Sequence, residues 1–137
     1  MSARFFIDTN ILLYAGSNAP EDFSKKQIAL KLLESPDIAF SAQVLQEYYD
    51  AAVRKGRLAI SHEDALARLR LMRSCAILPI TGELVIHAVE LKQVHQISYW
   101  DAAILAAAIE LGCETLYSED FNNGQDYGGV VARNPFG

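Results

Sequence analysis

Four acidic residues stand where apolar segments begin or end: Asp8 in FFIDTN, Glu47 in LQEYYD, Asp101 in SYWDAAI and Asp120 in LYSEDFN. A carboxylate next to apolar sequence is costly unless something satisfies it. Brought to one point, each pair would repel by roughly 4 kcal/mol at about 4 Å and an effective dielectric near 20. Convergence of the four would therefore call for a divalent cation. Each acid also has a plain structural explanation. Ser98 and Asp101 can form a capping box, and Asp8 can end a strand with Asn10 as the N-cap of the next helix. Glu47 can be a boundary glutamate, and Asp120 can belong to loop chemistry with Asn122, Asn123 and Gly124. What decides between these readings is whether the elements carry the acids to one place.

Strand-like and helix-like segments alternate, which predicts an α/β fold with a mainly parallel sheet of four to five strands. Strands are expected at residues 4–8, 38–41, 76–80 and 114–117, with a possible edge strand at 130–133 after a Gly-rich loop. Helices are expected from Ile11, over 24–34, over 43–55 ending at Gly56, from Ser61 to about Arg73, over 82–96, and over 99–111 ending at Gly112. In an open sheet of this class, ligands bind at the carboxyl ends of the strands. Asp8 and Asp120 follow strands. Asp101 sits in the first turn of a helix that runs antiparallel to the strand after it, so that turn lies at the same edge. Glu47 is only roughly 8 Å along a helix leaving that edge. Helical phase also separates Glu47 from Asp50: Val44, Leu45, Tyr48, Ala51 and Ala52 form the apolar stripe, with Glu47 at its margin and Asp50 on the solvated side.

Composition fits one domain over residues 1–137, with 51% hydrophobic residues to build a core. Cys75 and Cys113, 38 positions apart, read as small core residues rather than a zinc pair or a disulfide framework. No segment has the length of a membrane span or the pattern of a signal peptide, and a cytoplasmic setting is the simplest expectation. The net charge is -5, which argues against a nucleic-acid partner until its distribution is considered. From Arg54 to Arg73 six basic residues face two acids, so that stretch is +4 and the rest of the chain -9. A solvated helical face and a phosphate-binding surface explain the basic stretch equally well.

The segments FFIDTNILLY, the helix with Glu47, SYWDAAILAAAIELG and LYSEDF together resemble a PIN domain, the ribonuclease fold of VapC-type toxins in toxin–antitoxin pairs. The order and spacing of the acids across nearly the whole chain carry the resemblance. It implies a three-layer α/β/α sandwich and a Mg²⁺- or Mn²⁺-dependent endoribonuclease. Asp8, Glu47, Asp101 and Asp120 would form the acidic metal-binding centre, supported by Thr9, Asn10 and Ser118. Asp8 and Asp101 are first choices as direct ligands. Glu119 is the variable middle residue of the last motif, and Asp126 a conceivable fifth acid. Hard oxygen donors suit such ions, and the scattered His62, His87 and His95 make no zinc cluster. The implied reaction is hydrolysis of RNA phosphodiester bonds, with Arg54, Lys55 and Arg57 as candidate phosphate contacts on the rim. The resemblance also implies a small antitoxin partner and a homodimer, for which the apolar residues Leu12, Leu13 and Tyr14 are candidates. The rival from another class is a PIN-like module that binds RNA or protein without cutting. Aspartyl-phosphate chemistry is disfavoured because Asn10 stands where a second Asp would be needed, and nucleotide-binding glycine motifs are absent.

Overall fold

The computed structural model describes residues 4–54, 56 and 58–137. Six strands, β1 (Phe5–Ile7), β2 (Ile38–Ser41), β3 (Ala76–Leu78), β4 (Thr115–Tyr117), β5 (Asp126–Tyr127) and β6 (Val130–Arg133), form one sheet in the order β3-β2-β1-β4-β6-β5. All neighbours are parallel except β5 and β6, which make an antiparallel hairpin. The 130–133 segment, expected at the edge, is instead the second strand in, paired with β4 on one side and β5 on the other. β5 is too short and too flanked by glycine to show in the sequence; its pairing with β6 defines it.

Among the described residues six α-helices complete the fold: α1 (Thr9–Gly16), α2 (Phe23–Leu32), α3 (Ala42–Val53), α4 (His62–Met72), α5 (Gly82–His95) and α6 (Tyr99–Glu110). α1 packs on α2 and α3, α3 on α4, and α5 on α6, which lies against β2, β4 and β6. Right-handed crossovers put the first four helices on one face of the sheet and the last two on the other, giving three layers. α6 shows why its sequence is apolar on all sides: residues 102–108 are all buried, with the sheet beneath and α5 above. Ala102, Ala103 and Ala106 meet Leu84 and Ala88 of α5, and their small size lets the two helices come close.

Several boundaries differ from the expected ones for identifiable reasons. α1 starts at Thr9 and not at Ile11, because Asp8 takes the cap position and accepts from the Thr9 backbone N–H at 2.7 Å. Asn10 lies inside the helix. α3 stops at Val53, where Arg54 turns extended. Leu12 is fully buried and Leu13 and Tyr14 pack against the core, so these three do not form a free apolar face. Large apolar side chains are exposed elsewhere, notably Ile80, Val85, Ile86, Val89 and Trp100 around α5 and the start of α6. Cys113 is buried, and burial pushes its thiol up to about 11; Cys75 sits at the core's margin. No helix of the described residues is long and apolar enough to cross a membrane.

Candidate active site

The chain leaves β1 for one side of the sheet and returns from β3 to β4 on the other, so the direction of winding reverses between β1 and β4. That crevice, at the carboxyl ends of the strands, is where open α/β sheets place ligands. Asp8 follows β1 directly, and Ser118 and Asp120 follow β4. The two loops are tied together by Asp8 N–H donating to the Tyr117 carbonyl at 3.0 Å. α1, α3 and α6 all begin at this edge, so three helix N-termini bring partial positive charge toward the carboxylates.

Asp8 is 4% exposed. Its two oxygens accept from Thr9 N–H and from the Ser118 hydroxyl, both at 2.7 Å. Burial nevertheless dominates and pushes its carboxyl up to about 7, with Asp120 and Glu47 adding to the rise and the two hydrogen bonds opposing it. Asp101 follows the Ser98 cap, whose hydroxyl accepts its N–H at 3.1 Å. Its carboxyl is also raised, first by burial and then by Asp120 and Glu47, against a lowering from Ser98. Asp8 and Asp101 thus each feel the same two further acids. Among the described residues none of the four carboxylates is in an ion pair.

The supporting groups are mostly neutral donors. Thr9 Oγ1 donates to Glu47 Oε1 at 2.8 Å, and Gln43 Nε2 to Glu47 Oε2 at 3.2 Å. Asn10 Nδ2 donates to Asp120 Oδ2 at 3.0 Å, and Ser118 Oγ accepts from Asp120 N–H at 3.0 Å. Asp8, Glu47, Asp101 and Asp120, with Thr9, Asn10 and Ser118, therefore gather at one edge of the sheet. Glu47 is half-buried on this side of α3, while Asp50 is exposed and paired with Arg54 on the outer face. Lys55 and Arg57 lie outside the described residues. Glu119 turns away to accept from Tyr14 OH at 2.9 Å and to pair with Lys25 at 3.3 Å. Asp126 accepts from Gly129 N–H in the β5–β6 turn. Gln43 is a participant that motif reading passed over. Its only signal in the sequence is its position one helical turn before Glu47.

The donor set fits a hard divalent cation. Among the described residues no cation pairs with the carboxylates, and Asn10 Oδ1 is a buried oxygen with no hydrogen-bond partner. Among the described residues no three acidic, His or Cys side chains form a ready-made cage.

This arrangement of sheet, crevice and acids belongs to a recognised class: the PIN domain family model matches residues 5–123, and the chain is a member of that family. Among solved structures, the neighbours include a VapC toxin and several toxin–antitoxin complexes, VapBC complexes among them. VapC20 of Mycobacterium tuberculosis, a sarcin-ricin loop cleaving toxin, superposes with a TM-score of 0.69 at 24% identity, covering 95% of this chain and 99% of that one. A toxin–antitoxin complex from Klebsiella pneumoniae gives 0.69 at 25% identity, with 98% of each chain covered. DNA-bound VapBC from Salmonella typhimurium gives 0.67 at 16% identity, covering 97% and 98%. No curated protein matches by sequence.

Proposed function

We propose that this chain is a Mg²⁺- or Mn²⁺-dependent endoribonuclease acting as the toxin of a toxin–antitoxin pair, with Asp8, Glu47, Asp101 and Asp120 as its metal-binding acidic centre. The observation that carries the reading is the gathering of four carboxylates, none in an ion pair among the described residues, at the β1/β4 crevice of a PIN fold. Asp8 and Asp101 would hold the ion, with Glu47 and Asp120 completing the shell. When bound, the ion supplies a polarised phosphate oxygen and a water made nucleophilic at neutral pH. Thr9, Ser118, Asn10 and Gln43 orient the carboxylates without neutralising them, which keeps the charge for the cation. Burial of Asp8 excludes bulk water from the base of the crevice. Single-stranded or looped RNA fits such a cleft better than a rigid duplex, and Arg54, once released from its exposed pair with Asp50, would contact flanking phosphates with Lys55 and Arg57. The likeness to a toxin–antitoxin complex supports an antitoxin partner, and a cytoplasmic setting with one domain over residues 1–137 belongs to the same reading.

The test is incubation of the purified protein with a mixed RNA pool and Mg²⁺ or Mn²⁺, with and without EDTA, beside Asp8→Asn and Asp101→Asn. Cleavage by the wild type alone, abolished by EDTA, is the expected result. Cleavage that survives both substitutions removes the proposed centre. RNA binding without any cleavage would instead make the chain a non-cutting binding module.

A homodimer is supported by the exposed Ile80, Val85, Val89 and Trp100, which cluster around α5 and the start of α6. Sedimentation equilibrium at micromolar protein should give twice the 15.1 kDa chain mass. A purely monomeric mass would exclude the dimer at that concentration.

A further inference from the structure

We infer that Gln43 is a positioning residue that sets the gap between Glu47 and Asp101, an inference that rests on the metal-centre reading above. Its side-chain amide nitrogen has two hydrogens and two acceptors. One is Glu47 Oε2 at 3.2 Å, one helical turn along α3. The other is the backbone carbonyl of Trp100 at 3.3 Å, at the start of α6. That carbonyl belongs to the peptide bond whose nitrogen is Asp101's own. A single NH₂ group therefore bridges one candidate ligand and the peptide unit that carries another.

The bridge is long-range, from α3 on one face of the sheet to α6 on the other, and the residue making it is 8% exposed. Among the described residues no backbone–backbone hydrogen bond joins α3 to α6. The remaining Glu47 oxygen is held by Thr9, the neighbour of Asp8, at 2.8 Å. Glu47 is thus stretched between the Asp8 side and the Asp101 side of the crevice by two neutral donors. The choice of amide matters. A lysine at position 43 would hold Glu47 as well but would cancel its charge, whereas an amide fixes orientation and leaves the negative charge for a cation. A leucine or methionine could fill the same space but would leave Glu47 Oε2 free to swing. Outer groups that orient metal ligands in this way are typically worth about 10- to 100-fold in metal affinity.

The test uses Mn²⁺ binding to the full 137-residue chain, read from the EPR signal of free Mn²⁺ with no RNA present. Wild type is compared with Gln43→Met, Gln43→Ala and Asp8→Asn, with thermal midpoints measured for each. Methionine keeps the length and packing of the side chain but donates nothing; alanine removes both bulk and donor and favours the helix. Both Gln43 variants should weaken Mn²⁺ binding by about tenfold, to a similar extent and with thermal midpoints near that of wild type. Wild-type affinity in Gln43→Met, alongside lost binding in Asp8→Asn, overturns the inference and leaves the metal centre standing. Weakening in Gln43→Ala alone also overturns it, because packing rather than the hydrogen bonds would then be responsible. If Asp8→Asn binds Mn²⁺ as wild type does, the metal-centre reading fails and this inference fails with it.

Discussion

Asp8→Asn should lower RNA cleavage by at least about 100-fold, the usual scale for removing one group that stabilises charge in an active centre, and yet make the metal-free protein more stable at pH 8. The two effects have one cause. Asp8 is 4% exposed, and burial holds its carboxyl up at about 7, above the ordinary carboxylate value near 4. The unfolded chain loses this proton around pH 4, whereas the folded chain keeps it until about pH 7. Between those values the folded state binds more protons, so stability falls as pH rises. Above pH 7 the full penalty is present, on the order of 4 kcal/mol for this group. Asparagine cannot ionise, so the variant escapes the penalty. It also loses part of the acceptor pair that receives Thr9 N–H and Ser118 hydroxyl, a cost of about 1 kcal/mol. A net gain of about 2 to 3 kcal/mol at pH 8 should remain, visible as several degrees in thermal midpoint. At pH 4 the gain should vanish, since the folded wild type is then protonated and its unfolded chain about half so, which leaves only a small part of the penalty. Thermal melts of both proteins in EDTA from pH 4 to pH 8 check this. Parallel profiles would show that Asp8 titrates normally and that the crevice does not bury its charge.

The placement of the acids was legible in the sequence because each is anchored by local signals. Asp8 follows three apolar residues, Asp101 lies three positions after a capping serine, and helical phase alone separates Glu47 from Asp50. Those signals depend on neighbours within one or two turns, and the structure keeps them. Gln43 had no such signal, since its role depends on the Trp100 carbonyl 57 positions away, and nothing in the spacing along α3 points to that contact. The same limit hid β5, where Asp126 and Tyr127 become a strand only by pairing with Val130 and Val131. It also explains the misplaced interaction face: α1 is eight residues long, about two turns, and an apolar segment that short is nearly the same on all sides. Leu12, which could have faced out, is wholly internal. Several of the exposed apolar residues lie on α5, where Val85, Ile86 and Val89 face outward beside Glu83 and Glu90. Strand order was the largest gap. Alternation of elements implies a parallel sheet, but the crevice between β1 and β4 exists only because the chain reverses its direction of winding there.

Adding Mn²⁺ should stabilise the wild type strongly at pH 8 and barely at pH 5. A ligand that binds only the folded state stabilises it by about 2.7 kcal/mol when present at 100 times its Kd. The ion must displace the proton from Asp8, whose carboxyl stands at about 7, so each pH unit below 7 weakens binding about tenfold. Two units down, at pH 5, an Mn²⁺ concentration that gave 100 times Kd at pH 8 gives only about one, and the stabilisation falls to about 0.4 kcal/mol. Asp101 is raised as well, by burial first and then by Asp120 and Glu47. The ion also relieves the penalty of the first prediction, because it stabilises the ionised form that burial opposes. Wild type should therefore fall in stability from pH 5 to pH 8 in EDTA but much less so in Mn²⁺, while Asp8→Asn should show little response to either change. Thermal melts at fixed Mn²⁺ across that range read all three. Equal stabilisation of the wild type at pH 5 and pH 8 would mean that the ion binds away from Asp8, and the acids at the β1/β4 crevice would then need another explanation.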